Sequence, residues 1–145
     1  MKAFKKIAAF FAATLMATSM AVSVSASAIS PMSNSGDTSD TPWSSGNGYA
    51  RRKYNDTSIY VLNGGTQTNV SVYGKNAENG SAFSVSTYNG STITTTNLTL
   101  PSYSRRLIRQ FIYEKNYPYA YISFYNGNTH GYWSPDSVGP YETIN

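Results

Sequence analysis

The feature that most constrains this chain is a series of short β-type runs separated by Asn-Gly turns. The runs lie at 58–62, 70–73, 82–86, 92–100 and 119–125. Asn-Gly pairs tolerate positive φ and match the twist of a two-strand hairpin, so they are hairpin signals. Several strands at this spacing, without long crossovers, predict a mainly β fold built as a small antiparallel sheet or sandwich.

The stretch 103–115 follows a different period. Its apolar residues recur at positions i, i+1, i+4 and i+5, which covers one face of a helix: Leu107, Ile108, Phe111 and Ile112. Ser102 or Ser104 can cap its start, and Asn116 can take the left-handed position at its end. We therefore expect one short amphipathic helix at 103–115. A strand in which alternate residues from Ile108 to Glu114 face the same side is the alternative.

Alternation along the strands predicts one shared core. The expected inner-face residues are Ile59, Val61, Val70, Val72, Phe83, Val85, Ala120, Ile122 and Phe124, joined by the apolar face of the helix. This core is small but sufficient for a single domain of this size.

The first 28 residues have the three parts of a secretory signal: a Lys-rich start, an apolar run of about 16 residues and a small-x-small end. The cut is expected after Ala28, with Ala26 as the alternative. The apolar run is shorter than the roughly 20 residues that span a bilayer. Residues 29–42 are polar and predict a disordered spacer, and 43–145 predict a single mostly-β domain. The chain is therefore expected to be secreted and extracellular.

Charge and cysteine content exclude several classes of function. The formal charge of the 145-residue chain is +4, but three of its eleven basic residues lie in the leader while all seven acidic residues follow it. The mature chain is thus near neutral, which argues against nucleic acid as a partner. Without cysteine the chain has no disulfide or thiolate metal site, and its one histidine excludes a multi-histidine site. No cofactor and no metal are expected, and no membrane span in the mature chain.

Two segments resemble known families. The C-terminal stretches 108–117 and 120–122, followed by Gly131-Tyr132-Trp133-Ser134-Pro135-Asp136-Ser137, resemble the ending of an uncharacterised family of small secreted proteins of Gram-positive bacteria. The stretch 54–63 resembles, more loosely, a strand region of lactococcin-type bacteriocins, which are shorter β-sandwiches. The first resemblance implies secretion from a Gram-positive cell but no activity. The second implies a bacteriocin-like growth inhibitor.

Catalytic chemistry has little support in the sequence. His130 lies close to Ser134, Asp136 and Ser137, but no nucleophile elbow or other triad signature accompanies them. The carboxylates that could form a glycosidase pair, including Glu114 and Asp136, have no spacing that points to such a pair. We expect a protein that is not an enzyme.

Tyrosines and arginines are the candidate ligand-binding residues. All 13 tyrosines follow residue 48, and several lie opposite the inner-face residues of their strands: Tyr60, Tyr73, Tyr119, Tyr121 and Tyr125. An apolar ring with a hydroxyl suits sugars and other adhesive contacts, although tyrosine is also a common strand residue and some could belong to a sandwich core. Two basic groups could contact anionic polymer: Arg51 and Arg52, and then Arg105, Arg106 and Arg109. The expected function is binding at the bacterial envelope, to wall glycan or anionic wall polymer, with the bacteriocin-like inhibitor as the alternative.

Overall fold

The computed structural model describes residues 40–145, so the predicted leader and nearly all of the spacer lie outside it. Within this part the chain forms eleven strands and no helix, which confirms the mainly β prediction. The strands are β1 (Thr41–Ser44), β2 (Gly48–Arg52), β3 (Ser58–Asn63), β4 (Thr68–Lys75), β5 (Ala82–Phe83), β6 (Thr87–Tyr88), β7 (Ser91–Thr92), β8 (Leu98–Leu100), β9 (Arg105–Ile108), β10 (Tyr119–Tyr125) and β11 (His130–Ser137).

Two antiparallel sheets contain most of these strands. The four-stranded sheet has the order β1-β11-β3-β9. The five-stranded sheet has the order β2-β10-β4, and both β5 and β8 pair with β4, at its two ends. A separate hairpin joins β6 to β7. β1 begins at Thr41, just before the predicted start of the domain.

The inner faces of the two sheets share one hydrophobic core. Its buried residues come from both sheets and include Ile59, Val61, Val70, Val72, Ile108, Ile122 and Trp133. Trp43 of the four-stranded sheet stacks on Phe124 of the five-stranded sheet with ring centroids 3.7 Å apart. The predicted core is confirmed at most positions. Phe83 is 40% exposed and stacks instead on Tyr117, and Leu107 packs in a second cluster on the opposite side of the four-stranded sheet.

Two of the Asn-Gly pairs have the backbone conformation that their sequence favours, whereas Asn63-Gly64 and Asn79-Gly80 do not have positive φ. Asn89 and Gly90 both have positive φ, at 45° and 78°, and close the β6–β7 hairpin. Asn126 and Gly127, at 61° and 82°, lie between β10 and β11. Asparagine tolerates this left-handed region and glycine adopts it without steric cost.

The predicted helix at 103–115 is wrong. Residues 105–108 form β9, which pairs antiparallel with β3, and a single turn near 112–116 follows. The adjacent apolar pair Leu107 and Ile108 fits this strand because both of its faces are covered. Ile108 enters the shared core, whereas Leu107 packs with Tyr60 and Leu62 on the opposite side of the sheet. Asn116 does adopt positive φ, at 60°, but at the end of the turn.

The C-terminal tail, residues 139–145, covers this opposite side of the four-stranded sheet. Leu107 N–H donates to the Glu142 carbonyl and Ile144 N–H donates to the Leu107 carbonyl, each at 2.9 Å. Tyr141 packs against Tyr60 with ring centroids 5.3 Å apart. The tail therefore satisfies backbone groups of the edge strand β9 and buries an apolar patch that the sheet would otherwise expose.

Candidate functional site: the outer face of the five-stranded sheet

Alternation along β10 builds a row of tyrosines on the outer face of the five-stranded sheet. Ala120, Ile122 and Phe124 are buried in the core, so the intervening residues point away from it. These residues are Tyr119, Tyr121, Ser123 and Tyr125. Tyr119 and Tyr121 are partly buried, and Tyr125 is exposed.

The neighbouring strand β4 adds a fourth ring. Tyr73 lies directly opposite Tyr121 in the register, and their ring centroids are 6.2 Å apart. Cross-strand aromatic pairs of this kind stabilise a sheet, and they also fix the rings in place. We call the surface formed by Tyr73, Tyr119, Tyr121 and Tyr125 the tyrosine face.

Two cations join one end of the tyrosine face. Arg52 of β2 and Lys75 of β4 lie on either side of Tyr119 in the register. The Lys75 ammonium lies 4.3 Å from the centroid of the Tyr121 ring, and the Arg52 guanidinium lies 5.9 Å from that of Tyr54. Both distances are within the range of cation–π attraction. Arg52 and the tyrosines, which were separate candidates in the sequence, therefore form one surface together with Lys75, which the sequence analysis did not single out.

Two depressions of about 340 Å³ each mark this end of the face. Ala50, Arg51 and Glu78 line both of them. Arg52 and Tyr119 line one, and Lys75 and Tyr121 line the other. Glu78 belongs to the loop between β4 and β5, whose backbone is held here by a 3.2 Å hydrogen bond from Lys75 Nζ to the Glu78 carbonyl.

The other end of the face is a cluster of hydroxyl groups. Ser123 Oγ donates to the Tyr125 hydroxyl at 2.6 Å, and the Asn97 N–H donates to Ser71 Oγ at 2.9 Å. Burial raises the pKa of Tyr73, whereas the hydrogen bond from Ser123 lowers the pKa of Tyr125. Ser71 and Ser123 are buried, whereas Tyr73 is partly buried and Tyr125 is exposed, so the two phenol hydroxyls can donate to and accept from the hydroxyls of a ligand.

Close packing fixes the position of Tyr121. A Cβ built on Gly48 would lie 1.9 Å from the Tyr121 hydroxyl. The phenol therefore lies directly over the glycine backbone, and any larger residue at position 48 would force the ring to move.

Tyr60 does not belong to this face, and its prediction as a ligand-binding residue is wrong. It is only 1% exposed and lies on the four-stranded sheet beneath Tyr141. Within residues 40–145 its hydroxyl has no hydrogen-bond partner, and burial raises its pKa to about 12. Alternation correctly placed Tyr60 opposite Ile59 and Val61, but the C-terminal tail covers that side.

The five arginines predicted as two clusters lie in three different places, and Arg52 alone joins the tyrosine face. Arg51 lines both depressions from the edge strand β2, but its guanidinium lies 6.0 Å from the Trp133 ring, and burial lowers its pKa. Arg106 forms a 3.3 Å ion pair with Glu142, and Arg105 lies 5.9 Å from the Tyr141 ring. Both of these last two contacts are with the C-terminal tail.

Arg109 is the last of the five predicted arginines, and it also contacts the tail. Its backbone N–H and carbonyl bond to the side chain of Asn145, and its guanidinium lies 5.7 Å from the Phe111 ring. Arg105, Arg106 and Arg109 thus surround the docked tail at the four-stranded sheet, apart from the tyrosine face.

Asp136, a candidate carboxylate in the sequence, forms a buried ion pair within the fold. Asp136 is fully buried and pairs with Lys53, whose Nζ lies 2.8 Å from Asp136 Oδ1. Lys53 Nζ also donates to the carbonyls of Thr57 and Pro135, each at 2.7 Å. Asp136 Oδ2 accepts from the Tyr54 N–H. This pair, which the sequence did not reveal, ties the end of β2 to the end of β11.

His130 is exposed at the start of β11. In residues 40–145 no group of three or more histidine or acidic side chains could hold a metal ion. None of these residues belongs to a helix long and apolar enough to cross a membrane.

In comparisons with protein-family models, curated proteins and solved structures, nothing matches this chain. The resemblances described above therefore stay predictions, and the geometry of the tyrosine face carries the functional argument.

Proposed function

We propose that the chain is a secreted, non-enzymatic β-domain that binds glycan-containing polymer at the bacterial cell envelope through the tyrosine face. The observation that carries this proposal is the grouping of four tyrosines on one open sheet face: Tyr73, Tyr119, Tyr121 and Tyr125. Tyrosine presents a flat apolar ring for stacking and a hydroxyl for hydrogen bonding, and both suit the faces and edges of sugars.

The sheet that carries the tyrosine face is also suited to binding. β10 pairs with β4 along its whole length and with β2 from Tyr119 to Ser123. A rigid sheet holds the rings in place before a ligand arrives, so less conformational entropy is lost on binding. Secretion from a Gram-positive cell, which the leader and the C-terminal resemblance imply, would bring the domain into contact with wall polymer.

The test is co-sedimentation of the mature chain, residues 29–145, with purified Gram-positive cell walls. The variant Tyr119→Ala/Tyr125→Ala removes two rings from the face, and we expect its affinity to fall roughly tenfold or more, at about 1 kcal/mol for each ring. The matched control is Tyr113→Ala/Tyr132→Ala, which removes two exposed rings elsewhere and should leave binding unchanged. Equal losses in both variants, or no sedimentation of the unmodified protein, would refute the proposal.

A further inference from the structure

We propose that the polymer bound by the tyrosine face is anionic and lies along β10, with its negative groups at the Arg52–Lys75 end and its hydroxyls at the Tyr125 end. This inference rests on the proposed function and specifies the ligand of the same site. Three observations carry it: the cations lie over the rings, the two ends differ in chemistry, and the face is long.

The cations lie where a ligand approaching the rings would meet them. Lys75 lies over the Tyr121 ring and Arg52 lies beside the Tyr54 ring, so part of the aromatic surface at this end is covered by positive charge. A neutral sugar stacking on Tyr121 would have to displace the ammonium. A polymer with negative groups would instead bind the ammonium and the guanidinium, and it could stack on the neighbouring Tyr119.

The spacing of the two cations suits a repeating anion. Arg52 and Lys75 lie on β2 and β4, which are separated by β10. Neighbouring strands are about 4.8 Å apart, so the two backbone positions are about 10 Å apart. Their long side chains can reach the same negative group or two successive ones. Glu78 at the mouth of both depressions would repel an anion that entered from the side of the β4–β5 loop.

The opposite end of the face has a different chemistry. Tyr125 and Tyr73 offer hydroxyl groups there, Ser123 and Ser71 next to them are buried, and none of these side chains carries a charge. Hydroxyl groups of a sugar or polyol chain can exchange hydrogen bonds with such a cluster, whereas a negative group would gain no counter-charge from it.

The length of the face indicates a polymer and not a small molecule. β10 runs from Tyr119 to Tyr125, and at about 3.3 Å per residue this span is roughly 20 Å. Arg52 and Lys75 lie at the Tyr119 end, and the hydroxyl cluster lies at the Tyr125 end. A ligand that used both ends would therefore have to be an extended chain with negative and hydroxylated parts.

The test compares three preparations of the same Gram-positive wall: untreated, treated with hydrofluoric acid to remove phosphodiester-linked polymer, and treated with carbodiimide and an amine to neutralise carboxylates. We expect the mature chain to lose at least tenfold in binding to one of the two treated walls. The wall treatment that removes binding identifies the anionic group as phosphate or carboxylate. Undiminished binding to both treated walls would overturn the inference and leave the proposed glycan function standing.

Charge variants give an independent measurement. Arg52→Gln/Lys75→Gln should weaken binding to untreated walls at least tenfold and reduce its dependence on salt, because exposed charge contacts are screened by ions. The matched control, Arg105→Gln/Arg109→Gln, removes the same net charge from the four-stranded sheet and should bind as the unmodified protein does. Equal binding by both variants would contradict the inference, and absence of binding to any wall would refute the proposed function itself.

Discussion

The buried ion pair between Lys53 and Asp136 gives the sharpest prediction of stability. Both side chains are fully inaccessible to solvent, and all three hydrogen-bond donors of the ammonium have acceptors within 2.8 Å. Lys53→Met keeps most of the side-chain volume but removes these donors. Asp136 would then be a buried carboxylate without a cation, and the carbonyls of Thr57 and Pro135 would lose a partner.

The expected cost follows from the three acceptors left without the ammonium. Breaking a buried ion pair by removing one partner typically destabilises a protein by about 3–5 kcal/mol. Domains of this size have a free energy of unfolding of about 5–15 kcal/mol, so a large share of it would be lost. At about 4–8 °C for each kcal/mol, the midpoint of thermal unfolding should fall by more than roughly 12 °C.

Urea unfolding of the mature chain, followed by circular dichroism, measures this cost. The control is Lys115→Met, the same chemical change at a partly exposed lysine whose Nζ bonds to the Ser84 carbonyl at 3.0 Å. Its unfolding free energy should change by less than about 1 kcal/mol, because this bond is exposed to solvent and surface substitutions cost little. If Lys53→Met and Lys115→Met unfold at the same urea concentration, the reasoning about the buried pair is refuted.

A double variant separates the charge from the packing. In Lys53→Met/Asp136→Leu no charge is left uncompensated, so part of the lost stability should return. The recovery should be incomplete because the N–H groups of Tyr54 and Asn55, which donate to Asp136, would lose their acceptor. A double variant less stable than Lys53→Met would show that the carboxylate is not the destabilising group.

Three further predictions concern the four-stranded sheet. Burial raises the pKa of Tyr60 to about 12, so the folded state holds this proton more tightly and the free energy of unfolding should fall as pH rises from 10 to 12. Tyr60→Phe should reduce this fall and should be neutral or stabilising at pH 7. Urea unfolding at several pH values measures both effects. A Cβ on Gly131 would lie 1.8 Å from the Leu62 carbonyl oxygen, so Gly131→Ala should break the β3–β11 register and yield little soluble protein. Normal expression with an unchanged unfolding midpoint would contradict this prediction. Removing residues 140–145 should expose Leu107 and lower the unfolding midpoint, detected together with increased binding of a hydrophobic dye; an unchanged midpoint would show that the tail is not part of the fold.

Local sequence signals predicted much of the fold because the strands here are defined by local chemistry. Alternation located the buried side of β10, and Asn89-Gly90 and Asn126-Gly127 marked two of the turns. Each of these features depends on neighbours within a few residues. They were sufficient to predict the mainly β class and most of the core.

The errors arose where the deciding partner is distant in the chain. Residues 105–108 form a strand and not a helix because β3 pairs with one edge of the strand and the C-terminal tail bonds to the other. Tyr60 became a core residue because Tyr141, eighty-one positions later, covers it. No local pattern distinguishes an outer strand face that a tail will cover from one that stays open.

The same difference between covered and open faces determines where a ligand can bind. The tail, with Tyr141 and Glu142, covers the outer side of β3 and β9 and contacts Arg105 and Arg106 there. On the five-stranded sheet the tyrosines of β10 and β4 stay at the surface. Three of the five predicted arginines, Arg105, Arg106 and Arg109, therefore contact the tail, whereas Arg52 remains beside the exposed Tyr54 ring. We infer that an external polymer would meet charge and aromatic surface together on the five-stranded sheet, which is why the proposed site is there.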